Sequence, residues 1–173
     1  MTVVLPEPFS EPRDADRLAE ATAAACLDAC CTQLGLASIP LPVPIERWIE
    51  HPLGVDFGFE EMTDSAGYAI LDQRTIRIAE LLCNDEPRLR WTIAHELGHL
   101  LLHQPDPEAL RPTQPHYHHI YKNDRERQAE RFAAAMLIPI RPLVSTLFRA
   151  CEESRLSSEE ALFEISQDTP RAF

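Results

Sequence analysis

From Glu86 to His103 the apolar positions keep a helical rhythm. Leu89, Ile93, Leu97, Leu100 and Leu101 recur at spacings that line one face of an α-helix, and the stripe ends before the loop that holds Pro105 and Pro107. Downstream, Ala129, Phe132, Ala133 and Met136 repeat the rhythm in a second helix, which Asn123 or Asp124 can cap and Pro139 closes. Upstream, the Ala-rich run from Asp14 to about Leu34 reads as a helix ended by Gly35. A short helix is expected from Pro44 to Glu50, stopped by Pro52. Two more are expected near the end, from Pro142 to Glu153 and from Ser157 to Ile165, the latter opening on the capping signal Ser-Ser-Glu-Glu.

Between residues 55 and 79 the rhythm shortens to two. Val55, Phe57 and Phe59 alternate with Asp56, Gly58 and Glu60, and two further short runs, Tyr68 to Leu71 and Thr75 to Ala79, are split by Asp72-Gln73-Arg74. The expected fold is therefore α+β, a small antiparallel sheet of about three strands packed with helices. Residues 1–13, with Pro6, Pro8 and Pro12, are expected to form an irregular arm, and residues 14–173 one domain.

Composition narrows the class. The chain has 173 residues, 45% of them hydrophobic and 25% charged, which suits one globular unit with its own core. Its longest apolar runs, such as Ala133 to Ile138, are far shorter than a membrane span, and the first residues lack a basic-then-apolar leader, so a soluble protein of the reducing cytoplasm is expected. The five cysteines agree: Cys26, Cys30 and Cys31 crowd one helix, which makes no disulfide framework. These three and Cys151 read as small apolar residues. A formal net charge of −12 excludes a general basic surface for nucleic acid. Arg88, Arg90, Arg125, Arg127 and Arg131 leave two local readings, a basic patch through which single-stranded DNA acts as an activator, or a solvated salt-bridged surface.

The chemistry lies in WTIAHELGHLLLH. His95 and His99, four apart on a helix, stand one turn apart on one face, so both imidazoles can reach one ion, with Glu96 beside them. A catalytic zinc takes three protein ligands and keeps one position open. The long form of this motif with a third histidine at position 105 is excluded, because Leu102 and Pro105 stand where it needs Gly and His. The second helix offers Glu126 and Glu130, again one turn apart, so that one can bind the ion and the other accept a hydrogen bond from a ligating histidine. His103 continues the series but is expected to lie too far along the helix to share the ion, as a packing or surface residue. Cys83, close in sequence to the metal helix, has two readings: an inhibitory fourth zinc ligand that displaces the catalytic water until oxidation or movement of that loop releases it, or a buried apolar residue.

RWTIAHELGHLLLH together with ERQAERFAAAMLIP is similar to the paired motifs of the ImmA/IrrE family of zinc metallopeptidases, HExxH followed by E-x-x-A-N-x-F-A, a Leu-rich stretch and Pro. The resemblance covers roughly residues 40–165 and implies a zincin-like domain. It implies one zinc ion per chain on His95, His99 and Glu126, with Glu96 as the general base that takes a proton from water and returns it to the leaving amine. Glu130 stands where the family has Asn, and as a longer carboxylate it is expected to hold His95 by a hydrogen bond without binding the ion itself. The oxyanion donor is sought in the loop RPTQPHYHHIYKND, with His116, Tyr117, His118, His119 and Tyr121 as candidates. Manganese or iron also suits such ligands.

The resemblance further implies a site-specific endopeptidase that cleaves a helix-turn-helix repressor acting in trans, and so derepresses stress, mobile-element or phage-defence genes. The competing class is a non-proteolytic antirepressor or toxin-like module whose metal is structural. Glu96→Gln separates the two, since it removes the base and keeps the ion.

Overall fold

A computed structural model describes residues 12–103 and 124–154. In chain order these form α1 (Pro12–Leu34), α2 (Ile45–Trp48), β1 (Asp56–Glu60), β2 (Gly67–Ile70), β3 (Thr75–Ala79), a 3-10 turn (Glu80–Asn84), α3 (Glu86–Leu102), α4 (Asp124–Leu137) and α5 (Ile140–Ser154). The α+β reading holds. The helix expected at Ser157 to Ile165 lies outside the described residues.

Gly35 ends α1 as its sequence implies. It takes φ 64°, Gly35 N–H donates to the Thr32 carbonyl at 3.3 Å, and Leu36 N–H reaches back to the Cys31 carbonyl at 2.9 Å. This paired closure satisfies carbonyls that a helix end would otherwise leave open, and it needs the left-handed residue that glycine supplies. The helix starts at Pro12, two residues before the expected Asp14 and inside the arm assigned to residues 1–13. Its buried face carries Ala19, Ala23, Cys26, Leu27 and Cys30. The Cys26 thiol is pushed well above its ordinary pKa by its hydrogen bond with Cys30 and by burial, which keeps it an inert apolar group.

The sheet corrects one expectation. Its order is β1-β3-β2; β2 and β3 are antiparallel, but β1 and β3 run parallel. The physical reason lies in the two connections. Residues 71–74 close a tight β2–β3 hairpin in which Arg74 takes φ 50°. The β1–β2 link, EMTDSA, has no tight-turn pair, so it spans a gap wide enough to admit β3. β3 is thereby central, with Ile76 and Ile78 fully buried. The alternation on β1 holds only in part: Val55 is buried and Phe57 packs on the core, whereas Phe59, at the end of an edge strand, is 43% exposed.

α3 is gripped from three directions. Asp85 caps it, its carboxylate accepting from Arg88 N–H at 3.3 Å. Thr92 lies against β2, where a Cβ on Gly67 would come within 3.0 Å of its methyl group. Arg90 occupies the buried stripe that continues to Ile93 and Leu97 and is itself buried. It donates to the Glu46 carboxylate at 2.7 Å and to the Val43 carbonyl at 2.6 Å, tying α3 to the start of α2. Residues 124–152, taken as one stretch, have the length and apolarity of a membrane-crossing helix. That stretch is broken between α4 and α5, and α4 turns Ala129, Phe132, Ala133 and Met136 into the core.

The Arg90 contact generates a stability prediction. Glu46→Ala leaves a guanidinium buried with one partner lost, which is expected to cost about 2 kcal/mol, below the range for fully buried pairs because Glu46 is partly exposed. Urea unfolding measures it, and the double variant Glu46→Ala/Arg90→Met should recover part of the loss by removing the stranded charge.

Candidate metal centre

The site is built where α3 crosses α4. At the crossing Gly98 faces Ala129 so closely that a Cβ on Gly98 would stand 3.1 Å from Ala129 Cα and 3.2 Å from Phe132 Cδ1. Such an approach lets His95, one turn before Gly98, and His99, the residue after it, meet the first turn of α4. His95 and His99 place their Nε2 atoms 3.1 Å apart, their ring centroids 4.8 Å apart. Glu126 spans both: Oε2 is 3.3 Å from His95 Nε2 and Oε1 is 3.4 Å from His99 Nε2. One ligand atom from each of the three side chains lies within 4.8 Å of the other two.

The electrostatics follow from this clustering. Burial opposes charge on His95, but the hydrogen bond to Glu126 and the charges of Glu96, Glu126 and Glu130 outweigh it and raise its pKa. The Glu126 carboxyl is held far below the usual carboxylate range by its hydrogen bonds to His95 and His99. Glu96 moves the other way: burial lifts its pKa, against the opposing charges of His99 and His95. Two imidazoles and a carboxylate converging in this way fit a divalent ion of the zinc type.

The chain matches the family model described as the IrrE N-terminal-like domain, Peptidase_M78, over residues 52–167. It belongs to this metallopeptidase family. The match covers about two thirds of the chain and takes in both helices of the site. A comparison with curated proteins finds no match.

Within the M78 frame the site residues expected from sequence separate clearly. His95, His99 and Glu126 come together, and Glu96 is buried next to them in sequence. Glu130 acts on His95 through its charge, whereas among the described residues the buried His95 Nδ1 has no hydrogen-bond partner, so the expected bond is not seen at that atom. Cys83 does not join the cluster. It sits exposed in the 3-10 turn, whose inward residue is Leu82, and it is neither a member of the ligand group nor a buried apolar residue. His116, Tyr117, His118, His119 and Tyr121 lie outside the described residues.

Three of the five arginines offered as a basic patch are engaged internally. Arg90 is bound by Glu46, Arg127 pairs with Asp16 and Asp124, and Arg131 lies 3.9 Å from both Asp16 and Glu20. His103 stays outside the ligand group, as expected, but it is neither a plain packing nor a plain surface residue. Expected as a packing or surface residue, it stands with Nδ1 3.0 Å from His99 Nδ1 and Nε2 3.2 Å from Gln128 Oε1. The sequence signal missed was the helix end. His103 is the C-cap, with φ −113° and ψ 144°, so its side chain is not bound to the helical direction. Burial, with the neighbouring charges of His99 and Arg125, takes its pKa down to about 4 despite the Gln128 bond, so its ring is neutral.

Two outcomes follow. Gly98→Ala should lose about 1 kcal/mol in urea unfolding, the overpacking cost exceeding the helix-propensity gain of an alanine. It should also weaken zinc binding, because α4 must move and carries Glu126 with it. Zinc requires neutral imidazoles, and the pKa of His95 is raised above 6.5, so proton competition begins above that pH. Affinity measured by chelator competition should hold at high pH and then fall about tenfold per unit for each competing proton as the pH drops through the raised value.

Proposed function

We propose that this protein is a cytoplasmic zinc-dependent site-specific endopeptidase that cleaves a helix-turn-helix repressor. The observation that carries the reading is the meeting of His95, His99 and Glu126 beside a buried Glu96, in a chain of the M78 metallopeptidase family. His95 and His99 would hold the ion through Nε2, and Glu126 through its carboxylate. When bound there, zinc supplies Lewis-acid polarisation of water and of the scissile carbonyl.

The chain's own groups then divide the proton work. Glu96, its pKa raised by burial, is a stronger base than an ordinary carboxylate; it accepts the proton of the attacking water and passes it to the leaving amide nitrogen. Glu126, with its pKa held low, stays ionised and serves as a ligand. The substrate side is suited to an extended chain. β2 lies against α3, and among the described residues no strand pairs with its outer edge, so a peptide can add there through main-chain hydrogen bonds. Trp91, one turn before His95 on α3, is 42% exposed and offers an apolar surface for a substrate side chain. A net charge of −12 favours approach of a basic DNA-binding partner. Cutting such a repressor would derepress the stress, mobile-element or phage-defence genes it controls.

The test is co-expression with the helix-turn-helix protein encoded beside this gene, read by intact mass. Wild type should cut at one bond. Glu96→Gln should keep zinc and partner binding while the cleavage rate falls by about 10² to 10⁴. A partner bound tightly but left uncut by both proteins would instead support the antirepressor reading.

A further inference from the structure

The residues needed to hold a metal are accounted for by His95, His99 and Glu126, yet the cluster does not end with them. His99 Nδ1, on the side of the ring away from Glu126, meets the ring of His103, and His103 meets Gln128 on α4. We propose that His103 and Gln128 are positioning residues that fix the orientation and protonation of His99, presenting its Nε2 lone pair to the metal. The proposal rests on the metal site argued above and names residues that neither paired motif assigns.

Two imidazoles joined Nδ1 to Nδ1 at 3.0 Å share one proton, so one ring donates and the other accepts. A His99 nitrogen that gives its lone pair to an ion carries no proton there, which puts the proton of the neutral ring on Nδ1. His103 Nδ1 must then accept, its own proton must sit on Nε2, and Gln128 Oε1 lies 3.2 Å away to receive it. Each proton along this line has one acceptor and each acceptor one proton. The opposite ordering, with His99 Nε2–H directed at the Glu126 carboxylate, is met by turning the Gln128 amide, so the same three residues serve the protein before and after it takes up metal.

Backbone geometry explains how a residue four positions on can reach back. His103 N–H still donates to the His99 carbonyl at 3.2 Å, but its extended φ and ψ lie outside the helix, and the rings come to 4.9 Å between centroids. Gln128 is one turn short of Phe132 on α4, the residue that packs at the Gly98 crossing. The same approach that brings Glu126 to the ligand cluster therefore brings Gln128 to His103. Among the described residues His95 has nothing equivalent, since its buried Nδ1 has no hydrogen-bond partner there. The two ligating rings thus differ on the Nδ1 side, where His99 has a hydrogen-bonded line and His95, among the described residues, has none.

The test compares wild type, His103→Leu, His103→Asn and Gln128→Leu by zinc affinity from chelator competition, urea unfolding of the zinc-free proteins, and two-bond ¹H–¹⁵N spectra of the zinc-loaded histidines. The asparagine carbonyl can stand where His103 Nδ1 stands and accept from His99. Expected are zinc binding weakened about 10- to 100-fold in His103→Leu, affinity within about threefold of wild type in His103→Asn, and an intermediate loss in Gln128→Leu. The spectra should show His99 protonated on Nδ1 and His103 on Nε2. Equal zinc affinity in wild type and His103→Leu, a loss confined to unfolding, or a zinc-loaded His103 protonated on Nδ1 would each overturn the positioning role while leaving the metal site intact. A wild-type protein that binds no zinc would overturn both readings.

Discussion

Everything at the metal site depends on how closely two helices can approach. α3 and α4 meet where Gly98 has no side chain and Ala129 has the smallest one, and a single added carbon would crowd backbone and ring alike. Helices carrying ordinary side chains at the crossing stand 8–10 Å apart, a separation set by the residues at the contact. The small pair lets short side chains on facing turns touch: an imidazole and a carboxylate have little reach, and Glu126 contacts two rings at once. The Gly within the HExxH motif is thus a packing requirement of the chemistry, tolerated mid-helix because α3 is gripped elsewhere by the Asp85 cap, the Arg90 anchor and the sheet.

The same closeness sorts the acidic groups. Glu96 and Glu126 carry identical side chains, yet their proton affinities are driven in opposite directions, up for the buried one and down for the one that faces both histidines. Environment alone therefore separates a residue fit to move a proton from one fit to stay charged. His103 is a third case, a ring kept neutral by burial and so able to accept from one neighbour while donating to another.

Much of this was legible in the sequence because it is periodic and local. The apolar stripes on α3 and α4, the stop at Gly35 and the histidine pair are patterns within a turn or two of chain, and the structure places them as read. What was not legible depended on pairing at a distance. The parallel β1–β3 contact is set by the lengths of two connections, and alternation alone says nothing about strand direction. Arg90 sat on the apolar stripe, a visible anomaly, but its partners Glu46 and Val43 lie over forty residues away. His103 lies outside the ligand group as its spacing implies, but its contact with His99 depends on its ending the helix rather than continuing it, which spacing does not show. Cys83 shows the opposite limit: it is near the metal helix in sequence, but the 3-10 turn that buries Leu82 leaves it exposed and outside the ligand group, so neither of its two readings holds.

Where the two helices begin and end adds a final constraint. His99 lies in the last turn of α3, and Glu126 in the first turn of α4. A helix C-terminus carries partial negative charge and favours a cation, while an N-terminus carries partial positive charge and favours an anion, each by roughly 0.3–1 kcal/mol. At this site both preferences are met together. The end of α3 favours a cation held beside His99, and the start of α4 stabilises the ionised Glu126 that faces it. Extending α3 by a further turn would weaken the first effect and keep His103 on the helical path, away from the ring it now holds. The chain ends α3 one residue before His103, and that position serves the field at the site and the line of hydrogen bonds behind it.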